Sequence, residues 1–278
     1  MSDERQVILA EHHGFCYGVK RAIQLAQDCA SPKRDAYTLG PIIHNPQMVQ
    51  KLADEGVGTV DKLDDITSGT VIVRSHGVGP EIYQRIEKKG LNLVDATCPH
   101  VRKAQMSANA LHNENYQVVI IGEKKHPEVK SILEWAGDQA IPVETVEEAQ
   151  ELKSFSKIGV VVQTTFSGAK FKEIVNVLLD KTTDLKVLRT ICTATDQRQS
   201  AAIKLADEVE LMIVIGGKNS ANTTRLYQLC AEKCPTYHIE TASEVDEAWF
   251  NNVKKIGITA GASTPDWIIK EVYEKCQK

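Results

Sequence analysis

Short apolar blocks alternate along the chain with polar stretches of helical period. VILA (7–10), AYTLG (36–40), TVIVRSH (70–76), LVDATC (93–98), VVIIG (118–122), IPVE (141–144), IGVVVQTT (158–165), VLRTIC (187–192), LMIVIGG (211–217), TYHIE (236–240) and IGITAGAS (256–263) read as strands. Their near-continuous apolar character is that of strands covered on both faces. Between them lie segments such as PEVKSILEW (127–135), whose apolar residues recur every three or four positions; Pro127 suits a first helical turn, where its missing N–H costs nothing. Strands alternating with helices predict parallel sheets with helices on their faces.

The alternation contains a repeat. Cys16, Cys98 and Cys192 each follow a strand-like run and precede a helical one. Gly40, Gly122 and Gly216 each lie 24 residues beyond them, and His44, His126 and Ser220 lie 28 beyond. Each set has the same context of strand end, glycine, short loop, polar residue and helix. A later strand in each repeat ends on a polar side chain: His76, then Thr164 and Thr165, then Ser263. The expectation is an α/β protein of three pseudo-symmetric α/β units with mostly parallel sheets, covering 14–98, 99–191, and 192–278 with 1–13. The third is short of an opening strand on this count, and QVILA at the N-terminus is the candidate to supply it. In open parallel sheets, ligands bind beyond the carboxyl ends of the strands. A threefold arrangement would therefore turn all these residues toward one central cavity.

Bulk properties narrow the function. The 278 residues carry a net charge of −4, with 42% hydrophobic and 25% charged positions, which argues against a general nucleic-acid binder. No apolar run approaches the roughly 20 residues of a membrane span, and MSDERQVILA has no signal-peptide core. A cytoplasmic protein with reduced cysteines is expected. Cys29, Cys230, Cys234 and Cys276, like His12, His13, His100, His112 and His238, stand outside the repeat and are read as structural.

Three cysteines converging on one axis would make a trigonal thiolate site with an open fourth position, suited to zinc, Cu(I) or an iron–sulfur cluster. The same residues also fit three buried thiols packing as small apolar side chains. Loops between strand and helix present unsatisfied N–H groups at a positive helix end, so His44, His76, His126, Ser220, Asn222 and Ser263 form a candidate phosphate pocket. Ser220 and Asn222 equally suit helix caps. Glu128 is the one carboxylate in this set. Among neutral donors near phosphate its pKa should rise, which suits a proton donor, although a first-turn glutamate also fits.

GFCYGVKRAI (14–23), HN (44–45), SHGV (75–78), DATCP (95–99), HPEV (126–129), QTT (163–165), ICTAT (191–195), KNSAN (218–222) and TAGASTP (259–265) resemble, in combination, the 4-hydroxy-3-methylbut-2-enyl diphosphate reductase family. The resemblance runs from residue 7 to about 266. It implies a trefoil around a central cavity and one [4Fe–4S] cluster per chain on Cys16, Cys98 and Cys192. It further implies reductive dehydroxylation of the allylic diphosphate to isopentenyl and dimethylallyl diphosphates, the last step of the methylerythritol phosphate route. The diphosphate would lie among His44, His76, His126, Ser220, Asn222 and Ser263, with Glu128 as acid, His126 beside it, and Thr164 holding substrate or an ordered water. A ferredoxin or flavodoxin would supply electrons to a chain expected to act as a monomer. Two positions depart from the pattern: Ala221 where many members have a second serine, and the bulky Tyr17 after Cys16. A zinc hydrolase on the three thiolates and a non-catalytic cluster-based sensor are the competing readings.

Overall fold

The computed structural model describes residues 5–30 and 35–277. Strand β1 (Gln6–Leu9) is followed by α1 (Tyr17–Asp28), β2 (Ala36–Leu39), α2 (Pro46–Asp54), β3 (Val57–Val60), β4 (Thr70–Val73), α3 (Pro80–Lys88) and β5 (Asn92–Asp95). Helix α4 (Pro99–Asn113) leads into β6 (Gln117–Ile121), α5 (Pro127–Trp135), β7 (Ile141–Val143), α6 (Val146–Glu151), β8 (Phe155–Val162), α7 (Gly168–Leu179) and β9 (Thr182–Leu188). The last stretch holds α8 (Thr193–Ala206), β10 (Leu211–Ile215), α9 (Ala221–Ala231), β11 (Thr236–Ile239), β12 (Lys255–Ala260) and α10 (Asp266–Gln277). No described helix is long and apolar enough to cross a membrane.

The strands form three four-stranded sheets in the orders β3-β2-β4-β5, β7-β6-β8-β9 and β11-β10-β12-β1, and every pairing is parallel. The three orders are one order: within each sheet the first strand lies between the second and third, and the fourth takes the edge. Strand β1 does join β10–β12, but in the closing place that β5 and β9 hold in the other sheets, not as an opening strand. The repeat extends to single hydrogen bonds. Gly40, Gly122 and Gly216, each directly after the first strand, donate their N–H to the carbonyls of Val60, Val143 and Ile239 at the ends of the second strands, at 2.7, 2.9 and 2.9 Å.

Two strands differ from the sequence reading. Strand β3, VGTV, was not expected, and β9 runs over 182–188, so the expected run at 187–192 overlaps it by two residues. The stretch from Arg189 to Cys192 is loop.

The described chain divides into two compact bodies. The first comprises Met1–Val19, His44–Met48 and Thr193–Lys278 and carries the sheet of β1, β10, β11 and β12. Its strands are covered on both faces. Along β10, Leu211, Ile213 and Ile215 enter one core with Ile256, Ile258 and Ile268, while Met212 and Val214 enter another with Ala202 and Leu226. The second body comprises Lys20–Ile43 and Val49–Cys192 and carries the other two sheets. There, Val119 and Ile121 of β6 pack with Val160 and Ile174, and Val118 and Ile120 pack with Leu111 and Ile132. This side-chain alternation of period two is what a strand sandwiched between helices requires.

Candidate active site

Each of the three repeated cysteines follows the closing strand of a sheet and directly precedes a helix: Cys16 before α1, Cys98 before α4, Cys192 before α8. In each case its backbone N–H is tied to the loop that leaves the third strand of that same sheet. Cys98 N–H donates to Ser75 O at 3.0 Å, Cys192 N–H to Thr164 O at 3.0 Å, and Cys16 N–H to Ala262 O at 3.3 Å. All three are partly exposed. A sulfur at the first turn of a helix sits where the helix dipole favours negative charge.

In the second body, the acid and its surroundings are built by α5. His126 caps this helix: its Nδ1 accepts the N–H of Glu128 at 3.1 Å, so the ring proton of the neutral imidazole resides on Nε2. His76 meets His126 edge to face, with ring centroids 5.4 Å apart. Glu128 is 2% exposed. Its Oε1 accepts the backbone N–H of Thr164 at 2.6 Å and its Oε2 accepts the Thr164 hydroxyl at 2.8 Å. Burial pushes its pKa up from 4.5 to about 7; the two Thr164 bonds pull the other way, and the charge of Glu123 adds to the rise. Thr164 thus links the settings of two residues, since its N–H and hydroxyl hold the Glu128 carboxylate while its carbonyl accepts the Cys192 N–H.

Cys98 is set by a polar cluster behind it. Asp95 Oδ1 accepts the Thr97 N–H at 2.9 Å, an Asx turn that aims the chain into Cys98. Arg102 donates to the other Asp95 oxygen and, at 2.6 Å, to the Tyr83 hydroxyl. Arg21 donates to the carbonyls of Thr97 (3.2 Å) and Asp95 (3.3 Å). Burial alone would raise the pKa of Asp95, but the bonds from Thr97 and Arg102 outweigh it and hold the carboxyl below its usual value.

In the first body, the loop after β10 and the loop after β12 meet His44. Ser263 Oγ donates to His44 O at 3.2 Å. Gly217 packs so closely that a Cβ there would lie 2.9 Å from the same carbonyl. Ser220 caps α9 by accepting the Thr223 N–H at 3.4 Å. Asn222 is 5% exposed, and neither its amide oxygen nor its amide nitrogen has a partner among the described residues. A buried amide left in that condition costs free energy unless something else satisfies it. It therefore fits a polar ligand at the start of α9, where backbone N–H groups favour an anion. Arg198, 6% exposed, donates from Nε (3.2 Å) and Nη2 (2.8 Å) to Gly14 O and so fixes the loop that carries Cys16.

The second body brings His76, His126, Glu128 and Thr164 into contact, with Cys192 tied on through Thr164; the first brings His44 and Ser263 together beside the 216–222 loop. Sequence reasoning missed Asp95, Arg102 and Arg198, which hold the cysteine loops. Of these only Asp95 carried a legible signal, the Asp-x-Thr spacing of an Asx turn. The remaining cysteines behave as core or scaffold: Cys230 and Cys276 are fully buried, and burial pushes their thiols up to about 12 and about 11. His13 and His238 bond the carbonyls of Ala10 and Gly216.

Residues 7–277 match the model of the family described as LytB protein. The 4-hydroxy-3-methylbut-2-enyl diphosphate reductase of Pelobacter propionicus is 51% identical over 269 residues, covering 96% of each chain. That of Citrifermentans bemidjiense is 50% identical over 272 residues, covering 97% of this chain and 96% of its own. Among solved structures, an (E)-4-hydroxy-3-methyl-but-2-enyl diphosphate reductase described as the terminal enzyme of the non-mevalonate pathway is 46% identical with a TM-score of 0.72; the match covers 98% of this chain and 99% of the other. An E-1-hydroxy-2-methyl-but-2-enyl-4-diphosphate reductase from Plasmodium falciparum is 31% identical with a TM-score of 0.93, covering 98% and 87%.

Proposed function

The chain belongs to the LytB protein family, and from that premise we propose that it reduces 4-hydroxy-3-methylbut-2-enyl diphosphate, with loss of the allylic hydroxyl, to isopentenyl and dimethylallyl diphosphates. Two electrons and two protons enter per turnover and water leaves.

The donor set suits an iron–sulfur cluster. Cys16, Cys98 and Cys192 occupy the same place in three repeated sheets, each at a helix start and each with its backbone anchored to a strand-end loop. In this reading the three hold one [4Fe–4S] cluster, and the sequence divides functionally into 14–98, 99–191, and 192–278 with 1–13. When bound, the cluster supplies electrons one at a time and Lewis acidity toward the allylic oxygen, which zinc could supply only in part because it has no redox chemistry. A one-electron carrier protein, a ferredoxin or flavodoxin, feeds it. The thiols of Cys230 and Cys276 suit the reducing cytoplasm, where we place the protein as a monomer.

The chain's own residues bind and protonate. His44, His76, His126, Ser220, Asn222 and Ser263 take the diphosphate; Nε2–H of His126 is a donor whose tautomer its helix cap has already fixed, and the Asn222 amide gains the partners it otherwise lacks. Thr164 orients Glu128, which gives up a proton to the departing oxygen. The observation that carries this reading is Glu128 itself: a buried carboxyl with a pKa of about 7 is protonated in a useful fraction of molecules at neutral pH and can still ionise.

Glu128→Gln keeps the shape and the acceptor for the Thr164 N–H, its amide nitrogen donating to the Thr164 hydroxyl oxygen where the carboxylate accepted from it, but has no acidic proton. Steady-state assays with dithionite-reduced dye should show turnover about 10²-fold down, while inorganic diphosphate binds as in the parent. In the parent, turnover should fall as pH rises through about 7, where Glu128 loses its proton. Near-parental turnover in the variant removes Glu128 from the mechanism. Iron and sulfide analysis of anaerobically purified protein rejects the cluster if zinc is found instead.

A further inference from the structure

Gln105 lies on α4, two turns beyond Cys98, and is 0% exposed. Its Nε2 donates to Ser131 Oγ at 3.1 Å. The Ser131 hydroxyl in turn lies 2.8 Å from two carbonyls, those of His76 and Glu128. One amide thus stands behind the loop of a phosphate-pocket histidine and the first turn of the helix that carries the acid. The loop presses directly on it. Gly77 has φ +72°, and a Cβ there would lie 2.3 Å from Gln105 Nε2, so only glycine lets His76 follow the amide this closely.

The direction of the bonds is fixed by their chemistry. Ser131 has one hydroxyl hydrogen and two carbonyl acceptors that cannot donate, so its hydrogen goes to them. Its oxygen then accepts, and only the N–H side of Gln105 can serve it. Gln105 Oε1 is left without a partner among the described residues. A buried amide with an unsatisfied oxygen is a poor filler, and a methionine of the same length would occupy the space at lower cost. The residue is explained by its donor.

We propose that Gln105 is a positioning residue: through Ser131 it holds His76 and Glu128 in register with the helix that begins at Cys98. With the N–H removed, Ser131 keeps its two carbonyl contacts but loses the donor that ties them to α4, so the His76 loop and the first turn of α5 are no longer held to that helix. The proposal rests on the roles given above to His76 and Glu128.

The test compares Gln105→Met, Ser131→Ala and the double variant in the full-length holoprotein. Turnover of the allylic diphosphate with dithionite-reduced dye, thermal unfolding, and the imidazole NMR signals of His76 and His126 during titration with inorganic diphosphate are followed together. Each single variant should lose about tenfold in kcat/KM, as small misplacements of reacting groups do, with Tm within a few degrees of the parent. The double variant should lose no more than Ser131→Ala alone, because both changes cut one connection. The His76 and His126 signals should move in Gln105→Met before any diphosphate is added. A Gln105→Met protein within twofold of the parent in kcat/KM overturns the proposal, and so does a double variant whose loss is the product of the single ones. If the parent itself fails to reduce the allylic diphosphate, the functional reading fails, and unmoved histidine signals in Gln105→Met still decide against this one. Should Gln105→Met not fold, Ser131→Ala, which deletes a single oxygen, carries the same spectral test.

Discussion

Glu128 is brought to a pKa near neutrality by being taken out of water and then given enough hydrogen bonds to stay ionisable. Burial without Thr164 would push its proton affinity further up; Thr164 without burial would pull it below that of an ordinary carboxyl. The arrangement costs stability at high pH. In the folded chain Glu128 titrates at about 7, above its unfolded value of 4.5, so between these pH values the native state holds a proton that the unfolded state has lost. Stability contributed by the buried acid is present below about 4.5, declines as pH rises, and is gone above about 7. Glu128→Gln should therefore be the more stable protein above pH 7, by at most roughly 3.5 kcal/mol, because each tenfold gain in proton affinity on folding is worth about 1.4 kcal/mol. The advantage should fade toward pH 4.5. Urea unfolding of both proteins from pH 5 to 8.5 measures it; a stability gap that does not change with pH refutes the assigned titration. His126 and Glu128 could be read from the sequence because both lie in one short strand-to-helix turn. Gln105, Arg102 and Arg198 could not, because their partners lie elsewhere in the chain or on the far side of a helix, and nothing local marks a glutamine as buried.

At the scale of elements, the sequence carried most of what mattered. Helix α5 begins at Pro127 as its spacing and proline required, and the inner strands β6, β8 and β10 announced themselves as unbroken apolar runs because helices cover both faces. The edges were harder. Strand β3 is short and interrupted by Gly58, and β9, TTDLKVL, has no fully buried residue, so neither has the signature of a covered strand. Loops proved as determined as the elements they join, and their determinants are close contacts that a sequence does not display. Gly217 is one. Its missing side chain leaves room for the His44 carbonyl, which a Cβ would approach to 2.9 Å, and for the Asn219 amide oxygen, to 2.7 Å. Gly217→Ala should push the His44 loop away from Ser263 and weaken inorganic diphosphate binding about tenfold by calorimetry, at a stability cost of roughly 1–3 kcal/mol. Binding unchanged in a folded variant would show that the His44 carbonyl has room to yield and that its placement is not set here.

For the molecule as a whole, the repeated strand order sets where the three cysteines fall relative to their sheets. Every sheet has an edge strand in the same place, β5, β9 or β1, and a cysteine directly precedes the helix that follows it. Because β1 closes the sheet of β10–β12, Cys16 belongs with residues near the far end of the chain, as its bond to Ala262 shows; a count along the sequence placed it near a boundary but could not say which sheet it served. The three cysteines are thus equivalent by construction, and Cys29, Cys230, Cys234 and Cys276 have no such equivalence. That equivalence is what the proposed shared ligand role rests on. If the three act as one ligand set, Cys16→Ser, Cys98→Ser and Cys192→Ser should each reduce iron and sulfide from about four per chain to a small residue, and to a similar extent, since removing any one of them leaves only two sulfur anchors. Cys230→Ser should retain the cluster, because its sulfur lies in the core against Ala202; any effect there should register as a lower Tm from a hydroxyl placed among apolar side chains. Mössbauer spectra of the anaerobically purified set make the comparison directly. If one of the three serine variants kept a full complement of iron, that cysteine would have to be removed from the ligand set, and the equivalence that the sheets impose would be structural alone.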